Sequence, residues 1–154
     1  MSDNGSDQAL DSAIPWVAEH TQRYIDTGGA DGHIWHGSDG SFERGVPCLV
    51  LFTLGRTSGQ IRRNALIYIV DGDDYIIVGS RGGAPTHAQW YLNLMAQPQV
   101  QIQVLDERFA VEATVVSADE KERLWPRLVE AWPDYENYRA NTDREIPVIR
   151  LRRV

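Results

Sequence analysis

The stretch Asn64-Ala65-Leu66-Ile67-Tyr68-Ile69-Val70-Asp71-Gly72-Asp73-Asp74-Tyr75-Ile76-Ile77-Val78-Gly79 places two β-rich runs around one polar turn. Asp71-Gly72-Asp73-Asp74 has turn chemistry, and β-branched and aromatic residues flank it on both sides. The pattern predicts a hairpin of Asn64–Val70 with Tyr75–Gly79. On its N-terminal side, Pro47–Leu54 is another short apolar run, ending at Gly55. On its C-terminal side, Val100–Val104 alternates apolar and polar residues, and Asp106-Glu107 turns it into Arg108–Val116 as a second hairpin. Ile146–Leu151 alternates again and reads as the last strand.

Helical signals lie between these strands. Ile14, Val17, Ala18 and Ile25 recur near helical spacing from Ser12 to Asp26, and Thr27-Gly28-Gly29 stops the run. A polar, glycine-bearing connection from His33 to Gly45 has the length of a functional loop. Pro85 and Thr86 open a short helix carrying Trp90, Tyr91, Leu92 and Leu94, with Pro98 at its end. Ser117-x-x-Glu120 is a capping box for a helix through Ala131. Trp132-Pro133 interrupts that helix before a short one bearing Tyr135 and Tyr138. Six strands, mostly joined as antiparallel hairpins, with two or three interposed helices, predict a mainly β (α+β) barrel with helical additions.

Composition narrows the function. The chain has 154 residues and reads as one domain over residues 12–154, after a flexible acidic leader at 1–11 that carries Asp3, Asp7 and Asp11. A formal charge of −7 argues against a nucleic-acid binder. Cys48 is the single cysteine, which excludes a disulfide framework and fits a cytoplasmic protein. No apolar stretch approaches the ~20 residues that span a bilayer. The N-terminal helix is expected to cover the barrel mouth or to touch a membrane surface peripherally. Monomer and dimer stay equally open. No metal site is expected, because His33 and His36 lack a third clustered ligand.

Against this acidic background, Arg56, Arg62 and Arg63 crowd into eight residues. They belong to the connection Gly55-Arg56-Thr57-Ser58-Gly59-Gln60-Ile61-Arg62-Arg63. Its glycines permit conformations that expose N–H groups, its hydroxyls donate, and its guanidinium forks suit phosphate oxygens. The residues alone admit two readings, a phosphate cradle or a solvated turn. Ser80-Arg81-Gly82-Gly83, between a strand and an expected helix start, is a second candidate cradle. Trp90, Tyr91, Trp132, Tyr135 and Tyr138 can wall a pocket for a planar ring or serve as packing. No Gly-x-Ser-x-Gly elbow marks a hydrolase.

Taken in order, these segments closely resemble the deazaflavin-dependent nitroreductase family of the flavin/deazaflavin oxidoreductase superfamily. The resemblance rests on Gly55–Gly59 with Arg62, Ser80–Gly83, and Trp90-Tyr91-Leu92-Asn93-Leu94. Trp125-Pro126, Tyr135 and Thr142-Asp143-Arg144-Glu145-Ile146-Pro147 extend it over about Trp16 to Leu151. It implies a split β-barrel of the FMN-binding or pyridoxamine-phosphate-oxidase type, holding coenzyme F420, an 8-hydroxy-5-deazaflavin with a phosphate and an oligoglutamate tail. The implied activity is hydride transfer from the reduced cofactor to quinones, nitroaromatics or activated alkenes. The implied cofactor contacts are Arg56, Thr57, Ser58, Arg62, Arg63, Asn64, Ala65, Val78, Gly79, Ser80, Arg81, Gln89, Trp90, Tyr91, Leu92, Asn93 and Tyr135. Tyr135, Tyr138 and Ser80 are the implied catalytic positions. Thr57 stands where the best-known member has lysine, Ala65 replaces a frequent proline, and Ile67 and Trp132 occupy positions where tyrosines occur. FMN as cofactor, and a non-catalytic cofactor or lipid carrier, are the alternatives.

Overall fold

In a computed structural model of the chain, residues 15–154 are described, with side chains from Val17 onward. The expected leader at 1–11 and the first residues of the expected helix lie outside them. In chain order the elements are α1 (Pro15–Asp26), β1 (Ile34–Trp35), β2 (Val46–Leu54), β3 (Ile61–Ile67), β4 (Ile69–Asp71) and β5 (Asp74–Val78). A single 3-10 turn at Arg81–Gly83 precedes α2 (Gln89–Ala96), β6 (Gln99–Val104) and β7 (Glu107–Val115). The chain continues with α3 (Ala118–Ala131), α4 (Asp134–Ala140) and β8 (Val148–Arg153).

Every strand pairing is antiparallel, and the sheet runs β3-β2-β6-β7-β8-β5-β4, with β1 beside the first residues of β2. Its two ends, β3 and β4, are separated in the chain only by Tyr68. The sheet must therefore curl until its ends meet, which produces the split barrel.

The expected hairpin is half correct. Ile69 and Val70 pair with Ile76 and Tyr75 as expected, and Asp71 with Asp74 extends the ladder into the expected turn. Asn64 and Ile67 pair instead with Leu51 and Cys48 of β2. The pairing with β2 ends at Tyr68, because β2 itself begins at Val46, and past it the chain pairs with β5. Strand β1 takes the other edge of β2 here, where the Cys48 N–H donates to the His33 carbonyl at 2.7 Å. Tyr68 pins this corner. It is 7% exposed, its N–H donates to the Pro47 carbonyl at 3.1 Å, and its Oη lies 3.0 Å from His33 Nε2. Eight β segments result where six were expected.

The barrel interior is filled by Leu49, Leu51, Ile77, Ile102, Val111, Ile149 and Leu151, with Trp90 and Leu94 of α2 packed into it. Each such burial is worth about 1.5–3 kcal/mol. Helix α1 covers the opposite face of β2, where Tyr24 meets Cys48, Val50 and Phe52. Leu124, Trp125 and Leu128 of α3 cover Ile76, Val78 and Val148. Ser117 caps α3 as its motif predicts, its Oγ accepting from the Glu120 N–H at 3.2 Å. Asp71 ties α3 to the sheet by accepting from Arg123, Arg127 and Arg150 at 2.9, 3.0 and 2.8 Å. Helix α2 starts at Gln89 rather than at Pro85, because the Thr86 hydroxyl accepts from Arg81 Nη1 at 2.6 Å instead of capping a helix.

Candidate active site

The β2–β3 connection folds back on itself. The Gly55 N–H donates to the Gln60 carbonyl and the Gly59 N–H to the Gly55 carbonyl, both at 2.8 Å. A Cβ on Gly55 would sit 2.5 Å from Ser58 Oγ and 3.1 Å from the Gln60 carbonyl oxygen, so a larger residue here would displace the Ser58 hydroxyl. The turn presents Arg56, Thr57 and Ser58 to a cavity of about 820 Å³, a volume suited to a cofactor-sized ligand.

Arg56 is docked on α2. Its backbone N–H and its Nη1 both donate to Asn93 Oδ1, at 3.2 and 2.8 Å, and its Nη2 donates to Gln89 Oε1 at 2.8 Å. Asn93 is 3% exposed and donates in turn to Thr53 Oγ1. These acceptors are neutral amides, so they orient the guanidinium without cancelling its charge. Arg62 reaches the same cavity from β3, and Arg81 from the loop after β5. None of the three has a carboxylate partner among the described residues. Three guanidiniums without carboxylate partners on one cavity have the chemistry to hold an anion.

Aromatic rings form another part of the wall. Trp35 and Trp132 meet at a tilt of 36° with 5.0 Å between centroids, and Tyr135 and Tyr138 meet edge-on at 6.1 Å. Trp132 Nε1 donates to Tyr138 Oη at 3.2 Å. Tyr135 is 4% exposed, and burial pushes its hydroxyl far above the usual phenol range. Val17 and His20 of α1 also line the cavity, so this helix forms part of its wall. No helix among the described residues is long and apolar enough to cross a membrane.

Most implied contacts come together here: Arg56, Thr57, Ser58, Arg62, Asn64, Ala65, Val78, Ser80, Arg81, Gln89, Trp90, Asn93 and Tyr135 all line the cavity, as does Tyr138. Four do not. Arg63 alternates to the other face of β3, where its Nη2 donates to Gln22 of α1 at 2.8 Å. Gly79 backs the wall, donating to the Pro147 carbonyl at 2.9 Å. Tyr91 stacks on His87 at 4.7 Å, and Leu92 lies on the half-buried flank of α2. The cavity adds Trp35, Cys48 and His20, which sequence reading missed. Cys48 is a buried wall, its thiol pushed up to about 12 by desolvation. Val17 and His20 are three apart on α1, a spacing that marks one helix face. The described residues contain no cluster of three or more metal-ligating side chains.

A sequence profile of the family described as F420H(2)-dependent quinone reductase matches residues 16–152. An F420H(2)-dependent quinone reductase of Mycobacterium tuberculosis is 41% identical over 128 residues, which cover 81% of this chain and 83% of that protein. A solved F420-H2 dependent reductase aligns with a TM-score of 0.63 and 36% identity, over 68% of this chain and 93% of its own. Another solved chain, described as a domain-swapped dimer, aligns with a TM-score of 0.65 and 33% identity, over 91% of this chain and 99% of its own. The chain belongs to the F420H(2)-dependent quinone reductase family, oxidoreductases that use coenzyme F420, here on a split β-barrel.

Proposed function

We propose that this chain holds coenzyme F420 in the cavity between α1, α2, α4 and the sheet, and reduces quinones with it. Nitroaromatics and activated alkenes are proposed as further acceptors. The observation that carries the reading is the meeting of Arg56, Arg62 and Arg81, free of carboxylate partners among the described residues, with tyrosine and tryptophan walls in one cavity. The cofactor fits this donor set: guanidiniums suit its phosphate and carboxylates, and aromatic walls suit its planar ring. The reduced cofactor supplies the hydride, so the protein needs neither nucleophile nor metal.

The side chains then divide the remaining work. Arg56 and Arg62, with the hydroxyls of Thr57 and Ser58, hold the anionic part of the ligand. Asn64 and Ser80 offer polar contacts to the ring system. Tyr135 and Tyr138 present hydroxyls able to orient an acceptor oxygen or give it a proton. Helix α1 limits the access of water. Arg63, Gly79, Tyr91 and Leu92 act behind the wall rather than on the ligand.

Fluorescence titration with the oxidised deazaflavin tests the binding step, with saturation expected at micromolar concentration. Oxidation of the reduced cofactor by a soluble quinone tests turnover. Absence of binding, or flavin absorption in the purified protein, overturns the cofactor assignment. Binding with no turnover by any of several quinones would make the chain a carrier.

A further inference from the structure

Arg144 lies between α4 and β8 and has no carboxylate partner among the described residues. Its Nε donates to the Ala84 carbonyl at 2.8 Å, its Nη1 to the Gly79 carbonyl at 3.1 Å and its Nη2 to the Ser80 carbonyl at 2.6 Å. Nη1 also lies 3.2 Å from His87 Nδ1. One guanidinium thus gathers the loop that leaves β5. Only neutral acceptors surround it, and burial together with Arg81 holds it below the usual arginine value.

The peptide geometry carries the consequence. Each trans peptide unit points its N–H opposite its carbonyl. Turning the Gly79 and Ser80 carbonyls toward Arg144 turns the Ser80 and Arg81 N–H groups away from it. Those N–H groups, and that of Gly82, have no acceptor among the described residues. Ser80 has φ −72° and ψ −36°, and Arg81 has φ 48°. A right-handed residue followed by a left-handed one makes successive N–H groups converge into a concavity for anions. Ser80, Arg81 and Gly82 all line the main cavity.

We propose that Arg144 is a positioning residue, which fixes Ser80–Gly82 as a backbone N–H cradle for an electron-rich carbonyl or oxyanion edge of the ligand and favours the ligand's anionic form. The proposal rests on the reading that a deazaflavin occupies the cavity. A lysine at this position keeps the charge but cannot hold three carbonyls in one plane. Glutamine loses both functions.

The test compares wild type, R144K and R144Q by thermal melting, by fluorescence titration with oxidised coenzyme F420, and by the pH dependence of the bound chromophore's absorbance. R144Q is expected to weaken binding at least about tenfold and to raise the apparent pKa of the bound 8-hydroxyl by about half a unit to one unit. R144K is expected to weaken binding while leaving that ionisation near the wild-type value. Should R144Q fail to fold, R144K decides: wild-type affinity in R144K overturns the cradle. Unchanged affinity in folded R144Q also overturns it. Weaker binding of R144Q with unchanged chromophore ionisation overturns the electrostatic role and leaves a structural strut. Wild-type protein that does not bind the coenzyme overturns the cofactor reading itself, and the role of Arg144 with it.

Discussion

Asn93 Oδ1 accepts both the backbone N–H and the Nη1 of Arg56, so one amide oxygen on α2 fixes the position and the direction of a guanidinium on the β2–β3 turn. The choice of an amide over a carboxylate keeps that guanidinium available to a ligand. N93A removes the anchor and should weaken binding of the oxidised deazaflavin roughly fivefold, the worth of about 1 kcal/mol of hydrogen bonding. N93D keeps the anchor but neutralises Arg56, so affinity should fall further while the melting temperature holds or rises. Tighter binding by N93D than by N93A would refute an anionic ligand at this turn.

The loop that bears Ser80 is packed against α4 as well as held from behind. Gly83 has φ 82°, and a Cβ there would lie 3.0 Å from both the Cα and the carbonyl oxygen of Tyr138. Gly82 has φ 64° but open space around it. G82A should therefore cost about 1 kcal/mol from backbone strain alone. G83A should cost clearly more and should also weaken cofactor binding, because it moves the loop off α4. Urea unfolding of the pair separates the strain from the contact.

The two cavity tyrosines should respond differently to loss of their hydroxyls. Y138F strands the Trp132 Nε1–H, in a residue that is 8% exposed, and should lower stability by about 1 kcal/mol. Tyr135 Oη has no hydrogen-bond partner among the described residues, so Y135F should leave the unfolding midpoint unchanged or raise it. Quinone reduction measured on both variants then reports on the hydroxyls with their structural effects known.

His87 predicts a pH dependence. Desolvation, and then the neighbouring Arg144, lower its pKa from the ordinary histidine value of 6.5. It also faces the Tyr91 ring at 4.7 Å. With the folded value below the unfolded one, the unfolded chain binds more protons across that interval. Stability is therefore fully present above about pH 6.5 and is lost as pH falls through the folded value. Melting temperatures from pH 7.5 to 5 should show this fall in wild type and a shallower one in H87N.

The ion-pair hub at Asp71 makes a prediction away from the cavity. The arginines Arg123 and Arg150 hold its carboxyl well below the usual carboxylate range. D71N should destabilise by about 2–3 kcal/mol, since it leaves the largely buried Arg150 with only Asp74 and Glu120. The stabilisation these bonds give is fully present above pH about 4, the unfolded value, and is lost progressively as pH falls from there through the much lower folded value. Urea midpoints of wild type and D71N should converge toward acid pH.

Much of this was legible in the residues. The hairpin of β6 and β7, the Ser117 cap and the stop after α1 follow from alternation, capping chemistry and glycine, all of them local signals. The partner switch at Tyr68 was not legible, because nothing in Ile67-Tyr68-Ile69 interrupts a β pattern. It falls where β2 begins, at Val46, a boundary that lies in another strand. Arg63 was drawn to the ligand by composition, but strand alternation puts it on the face opposite Arg62 and Asn64. Trp35 and Cys48 enter the cavity through the curl of the sheet, which no linear pattern encodes. Arg144 was visible only as part of a familiar segment, with nothing nearby to show that its carbonyl partners lie some sixty residues earlier.

The position of β8 has a consequence for how the enzyme comes into being. Although last among the strands, β8 lies between β7 and β5, and it alone joins them by hydrogen bonds. Before it arrives, a growing chain holds two strand groups that no strand pairing joins, linked through Tyr68. Asn64 and Ala65 belong to one group; Val78 and the loop at Ser80 follow from the other. The cavity walls have no fixed separation until residues 148–153 leave the ribosome. Assembly is therefore a late, all-or-none event dominated by long-range contacts, and partially synthesised chains expose unpaired edges on both sides of the missing strand.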